Sequence, residues 1–129
     1  MSAKKVEVVQ KPKIIIPKTK IMPMSEIIWS DTEQEIAQTA FQKAYQRETS
    51  TLIEHIKEQS GQITVLDDIW QMHDYLSARR HQIDGKYDYR YTSLIFVFAQ
   101  LLKEGWLKLE DLNGLGKDKL AKIAALSRM

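Results

Sequence analysis

The placement of proline and glycine constrains the fold more than any other feature of this sequence. All three prolines lie within the first 23 residues, so that residues 30–129 contain none. Because proline removes a backbone donor and clashes with the preceding turn, its absence permits long helices throughout this stretch. All five glycines follow residue 60, at positions where helices are expected to stop. The pattern predicts an all-α protein.

Capping signals and glycines set the expected helix boundaries. Ser30-Asp31-Thr32-Glu33 is the signature of a capping box, so the first helix is predicted to begin there and to continue to about Ser60. A second helix is predicted to begin between Thr64 and Asp67 and to end at Asp84-Gly85. A third is predicted to begin between Tyr87 and Arg90 and to end at Glu104-Gly105. Two short helices are predicted over 108–112 and 117–126.

Charge divides the chain into a basic beginning and a slightly acidic body. Residues 1–24 carry six Lys and one Glu, whereas the rest of the chain has 13 basic and 16 acidic residues. Lys and Pro oppose packing, so residues 1–24 are predicted to form a flexible extension. We expect residues 25–85 to hold the two long helices as a dimerisation region, and residues 86–129 to form a C-terminal helical head. The acidic body argues against broad electrostatic binding of nucleic acid.

Composition also excludes several kinds of site. The chain has no Cys, which removes thiolate metal sites and Cys nucleophiles and fits a reducing cytosol. No secretory signal is apparent, and the apolar stretch over 94–102 is too short to span a membrane. The three histidines lack metal-binding spacing, and there is no phosphate-binding glycine loop. We therefore expect no enzyme activity, no metal and no cofactor.

A seam of apolar and polar residues follows the predicted first helix at heptad-like spacing. Its members are Phe41, Tyr45, Glu48, Leu52, Ile56 and Gln59. A helix of 30 residues is roughly 45 Å long and would overhang a small domain, which favours a second copy of the chain as cover for the seam. The alternative is a hairpin in which the second helix of the same chain covers it.

The second helix carries two adjacent stripes. Ile69, Met72, Leu76 and Ile83 form an apolar stripe, beside a mixed stripe of Leu66, Trp70, His73, Asp74, Ser77 and Arg80. Neighbouring His73 and Asp74 are expected to point to different sides. Asp74 and Arg80 lie too far apart around the axis to pair, so each is expected to find its counter-charge on another helix or subunit. A Trp among Arg, His and Asp is typical of interface hot spots, and equally of a core Trp beside a solvated face.

Two segments leave nucleic-acid binding open as an alternative. Residues 79–91 mix basic and aromatic side chains, although the carboxylates among them favour local ion pairs. Residues 109–123 resemble a helix-hairpin-helix, in which the turn Gly114-Leu115-Gly116 would offer backbone N–H groups to a phosphate. The same pattern is also an ordinary tight turn between two helices.

The segment from Trp70 to Tyr87, WQMHDYLSARRHQIDGKY, is similar to the central segment of cyanobacterial fluorescence recovery proteins. The resemblance extends from about Trp29 to the C-terminus and includes FQKAYQRE at 41–48 and FVFAQL at 96–101. It implies an elongated α-helical homodimer that binds the orange carotenoid protein, mainly through that partner's C-terminal domain. It also implies faster return of the partner from its red to its orange state and its detachment from the phycobilisome, in the cytoplasm and peripheral to the thylakoid membrane.

The resemblance also implies roles for particular residues. Trp70, His73, Asp74 and Arg80 match positions at or near the dimer interface and the centre of partner binding, and Ile69 lies on the adjacent apolar edge. Phe96 and Lys122 match positions of the head that contact the partner. The carotenoid belongs to the partner, so no cofactor is implied for this chain.

Overall fold

The computed structural model describes residues 27–129, and the predicted extension at 1–24 lies outside the described residues. Residues 27–129 contain four α-helices, a 3₁₀ turn and no strand, which confirms the all-α prediction. The elements are α1 (Asp31–Ser60), α2 (Leu66–Lys86), α3 (Leu94–Glu104), the 3₁₀ turn (Leu109–Leu112) and α4 (Lys117–Ser127).

Helix α1 begins at the predicted capping box. The Glu33 backbone N–H donates to Ser30 Oγ over 3.1 Å, and the Ser30 N–H donates to Glu33 Oε1 over 3.0 Å. These reciprocal bonds satisfy N–H groups that a helix end leaves without partners. The 30 residues of α1 make a rod of about 45 Å, which carries the head near its N-terminus and contacts α2 through side chains toward its C-terminus.

Helix α2 runs back along α1 as a hairpin and covers part of the α1 seam within the same chain, although Tyr45 of the seam remains 45% exposed. Arg79 of α2 reaches Glu48 at 2.9 Å, and further along the hairpin the rings of His55 and Tyr75 lie 5.4 Å apart. Tyr87 also packs edge-on against Phe41 of the seam. The hairpin alternative therefore accounts for part of the cover, and cover of the remaining seam by a second copy stays a prediction.

Helix α3 begins later than predicted, at Leu94 instead of within 87–90. Tyr89 packs edge-on against Phe41 at 4.9 Å, and Asp88 accepts a hydrogen bond from Arg90 at 2.8 Å. The packing of Tyr89 against α1 and the ion pair between Asp88 and Arg90 favour an extended conformation for residues 87–90. The pattern of charges and glycines in the sequence did not indicate this extended segment.

The hydrophobic core lies in the head, where α3 is buried against α1 and α4. Three alanines of α1, Ala37, Ala40 and Ala44, are buried at helical spacing and allow the backbone of α1 to approach α3 closely. The buried residues that meet them are Leu94, Ile95, Phe98, Leu101, Leu107, Leu112, Leu115 and Ile123. No helix within residues 27–129 is both long and apolar enough to cross a bilayer.

Candidate interaction surface

Most of the apolar surface of α2 faces solvent. Leu66, Ile69 and Trp70 are 62%, 44% and 55% exposed, and Ile83 is the sole buried residue of this helix. Adjacent exposed apolar side chains on a helix are a recognised mark of a protein-binding surface. We call the side of α2 that carries Leu66, Ile69, Trp70, His73, Asp74 and Arg80 the α2 face.

The charged groups of the α2 face have partners on their own helix. His73 Nδ1 lies 3.3 Å from Asp74 Oδ1, so the expectation that these neighbours diverge is wrong; only about 100° separates them around the axis, and their side chains bend together. Arg80 Nε lies 3.7 Å from Asp84 Oδ2, one helical turn away. Arg80 and Asp74 do not pair, as predicted, and Arg80 finds its counter-charge on its own helix, at Asp84, instead of on another helix or subunit. All four side chains are exposed, so these contacts add little stability.

Helix α2 also carries a groove that the sequence did not predict. The groove has a volume of about 490 Å³ and is lined by His73, Leu76, Ser77, Arg80, His81 and Asp84. Helical spacing already placed His73, Ser77 and Arg80 on one side of α2, and this was the part of the groove that could be found from the sequence. His81 and Asp84 are found only once the side chains are placed.

A second unpredicted feature is a buried charge cluster that ties the hairpin to the head. Glu48 is 1% exposed and accepts hydrogen bonds from Arg79 at 2.9 Å, from Lys86 at 2.9 Å and from the Tyr87 hydroxyl at 2.7 Å. Lys86 also lies 2.6 Å from Glu104 of α3. Burial alone would raise the pKa of Glu48, but the donors around it hold that pKa below its usual value. In the sequence, Glu48 is simply a polar interruption of the seam.

The head leaves its two predicted contact residues in solvent. Phe96 is 51% exposed, although its neighbours in α3 are largely buried, and Lys122 is exposed on α4. Helices α3 and α4 pack against each other, which places both residues in the head. Their role in partner binding stays a prediction.

The turn that resembled a helix-hairpin-helix is anchored to the rest of the protein through Leu115 and Gly116. Leu115 is buried, and the Gly116 N–H donates to Glu33 Oε2 over 2.7 Å. Lys119, a basic residue three positions after the turn, donates to Glu33 Oε1 at 3.0 Å and lies over the Trp29 ring. Burial would raise the pKa of Glu33, but hydrogen bonds from backbone N–H groups and Lys119 lower it to about 2. The Gly116 N–H and the Lys119 ammonium are therefore already occupied, although Lys117 and Lys122 remain exposed, and this argues against the nucleic-acid alternative.

Within the described residues, no group of three or more His, Cys, Asp or Glu could hold a metal ion. What the fold presents is a helical hairpin with an uncovered aromatic and charged face, attached to a compact head. The class is that of a small all-helical protein with a solvent-facing surface suited to binding other proteins.

Comparison with known proteins identifies the family. The family described as "photoprotection regulator fluorescence recovery protein" matches residues 29–127. The chain is 50% identical over 109 residues to the fluorescence recovery protein of Synechocystis sp. PCC 6803, covering 84% of this chain and all of that one. This chain belongs to the fluorescence recovery protein family, whose members are regulators of photoprotection.

Solved structures agree with this assignment. The fluorescence recovery protein of Fremyella diplosiphon is 60% identical and superposes with a TM-score of 0.77. That from Synechocystis sp. PCC 6803 is 53% identical, also with a TM-score of 0.77. Each match covers 79% of this chain and all of the other.

Proposed function

We propose that this chain binds the orange carotenoid protein, mainly its C-terminal domain, and accelerates its return from the red to the orange state. In the same interaction it promotes detachment of that protein from the phycobilisome and so restores antenna fluorescence. The observation that carries the proposal is the α2 face, an exposed aromatic and charged surface in a member of this regulator family.

The α2 face is also the proposed dimer interface. Ile69 and Trp70 are exposed in the single chain, and a second copy would remove this apolar surface from water. In a two-fold interface the same patch serves both copies, so each Trp70 would pack near the axis. Residues 25–85 then form the dimerisation region, and His73, Asp74 and Arg80 lie where the partner is centred.

The head, residues 86–129, is proposed to supply a second contact. Phe96 offers an exposed ring, and Lys122 offers a charge. The Glu48 cluster fixes the head against the hairpin, so the head contact and the α2 face keep a constant separation.

The proposed mechanism is non-enzymatic. A protein that adds no cofactor speeds a conformational relaxation only by binding the barrier state better than the starting state. It shifts the equilibrium by preferring the compact product. A rigid surface that holds one domain of the partner while the other re-docks meets both requirements. The chain would act in the cytoplasm at the phycobilisome, peripheral to the thylakoid membrane.

A mixing experiment tests the proposal. Purified chain is added to light-activated orange carotenoid protein, and the colour change is followed in darkness. We expect faster reversal, with the rate saturating as the chain is added. An unchanged rate at saturating chain would refute the proposal, and tight, salt-sensitive binding to duplex DNA would favour the nucleic-acid alternative instead.

A further inference from the structure

We propose that residues 11–20 of this chain dock into a groove at the N-terminal end of α1. The groove has a volume of about 350 Å³ and is lined by Asp31, Gln34, Glu35, Gln38, Tyr89 and Tyr91. It lies on the side of the molecule next to Trp29, since Gln34 Nε2 donates to the Trp29 carbonyl over 2.9 Å and the rings of Tyr91 and Trp29 lie 5.8 Å apart.

The composition of the groove suits a basic, extended peptide. Asp31 and Glu35 are exposed one helical turn apart, and no cation within residues 27–129 lies within ion-pair distance of either carboxylate. Tyr89 and Tyr91 supply adjacent aromatic rings 5.7 Å apart. Aromatic-lined grooves bind proline-containing segments whose extended conformation is set in advance, and carboxylates nearby select basic residues.

The chain itself supplies a segment with matching chemistry and sufficient reach. Residues 11–20, KPKIIIPKTK, combine four Lys with Pro12, Pro17 and three consecutive Ile. Lys20 lies seven residues before Ile27, where the described chain begins, and seven extended residues span up to about 25 Å. Because Ile27 lies only four residues before Asp31, the first residue of the groove, the chain is long enough for Lys18 and Lys20 to reach Asp31 and Glu35. The Ile residues would pack against the tyrosine rings.

A paramagnetic label tests the docking directly. The chain contains no Cys, so Thr19→Cys gives one attachment site for a nitroxide in the full-length protein. We expect the amide signals of Gln34, Glu35 and Gln38 to lose most of their intensity. Glu58 lies on the same helix about 33 Å from the groove, so its amide signal should keep its intensity.

Two variants connect the signal loss to the proposed contacts. Glu35→Gln removes one groove charge and should increase the undocked population by about two- to fivefold, the effect of one exposed ion pair. Glu58→Gln makes the same change far from the groove and should have no effect. Because salt near 1 M reduces the screening length to about 3 Å, it should restore part of the lost intensity.

The indole signals give a second readout that needs no label. The chain has three Trp, so three indole N–H signals are expected. The double variant Lys18→Gln/Lys20→Gln should shift the Trp29 signal and leave those of Trp70 and Trp106 in place.

Three results would overturn the proposal. These are undiminished amide signals in the labelled protein, an unmoved Trp29 signal in the double variant, and signal loss that appears only when labelled chain is mixed with a separate isotope-enriched chain. The last result would assign the groove to the extension of a second copy. None of these measurements involves the orange carotenoid protein, so their failure is independent of the proposed function.

Discussion

Glu48→Gln should weaken the whole fold, although the residue lies on neither proposed binding surface. The substitution preserves size and removes the negative charge that Arg79, Lys86 and the Tyr87 hydroxyl share at 2.7–2.9 Å. The side chain of Glu48 is 1% exposed and that of Lys86 is 12% exposed. Two cations would therefore lose their common counter-charge in a largely dehydrated place.

The size of the effect follows from what each donor retains. Removing one partner of a buried ion pair costs about 3–5 kcal/mol. Here Lys86 keeps Glu104 at 2.6 Å, and the new amide still offers one carbonyl acceptor. We therefore expect the free energy of unfolding to fall by about 2–4 kcal/mol, somewhat less than for a pair in which nothing replaces the lost charge. For a chain of this length, such a loss lowers the midpoint of thermal unfolding by roughly 8–15 °C.

Chemical unfolding followed by circular dichroism, at fixed protein concentration, measures this effect. Glu58→Gln is the matched control, because Glu58 lies exposed on the same helix. It should change the free energy of unfolding by less than about 0.5 kcal/mol. An equally small change for Glu48→Gln would show that the buried cluster does not hold the hairpin to the head.

Three other predictions follow from the same structure. Gly114→Ala should destabilise the fold by about 1–3 kcal/mol in thermal unfolding, because Gly114 has φ +104° and an added methyl group would clash with Ile36 Cδ1. The pKa values of Glu33 and Asp111 are lowered to about 2 in the folded protein, whereas the same side chains have pKa values near 4 in the unfolded chain. Their contribution to the free energy of unfolding is therefore complete above these unfolded pKa values and should be lost as the pH falls from about 5 to 2. Ile69→Glu should halve the mass measured by light scattering while helicity is retained, because it places a charge on the proposed dimer surface.

Each of these predictions has a control or a contradicting result. Gly85→Ala meets no atom within 4 Å and should not destabilise the protein. Lys119→Met removes one partner of Glu33 and should flatten part of the acid-induced loss; an unchanged pH profile would disprove the assigned cause. A parent protein with the mass of one chain would rule out the dimer.

The sequence was sufficient to predict the helices because their boundary signals are local. The capping box at Ser30 and the glycine at Gly105, with φ +88°, mark helix ends through residues a few positions apart. The start of α3 was predicted too early because Tyr89 is held by Phe41, 48 positions earlier in the chain. No local pattern reports such a contact.

The candidate site was predictable to a similar extent. Helical spacing placed Trp70, His73 and Arg80 on one side of α2, and the structure leaves all three exposed there. Spacing could not show that Glu33 bonds Gly116 across 83 positions, which changes a candidate phosphate-binding turn into an internal contact. Nor could it show that Glu48 is a buried hub, because its partners lie 31 to 39 positions away.

The most direct test of the α2 face is the dark reversal rate of the orange carotenoid protein with Arg80→Leu. Arg80 is exposed and pairs only with exposed Asp84 among the described residues, so its loss should cost the single chain little stability. Arg90→Leu is the control, because Arg90 is also largely exposed, pairs with Asp88 and lies off this face. Lys122→Glu should weaken partner binding and leave the dimer mass unchanged.

We expect the Arg80→Leu variant to fold with normal helicity but to lose most of its ability to accelerate the reversal. When an arginine that is desolvated in a complex is removed, the charge that it paired with is left buried without a partner, and binding weakens strongly. Arg90→Leu should match the parent. Parent-like reversal rates with both Arg80→Leu and Lys122→Glu would contradict the proposed assignment of the binding surfaces, even in a chain that belongs to this family.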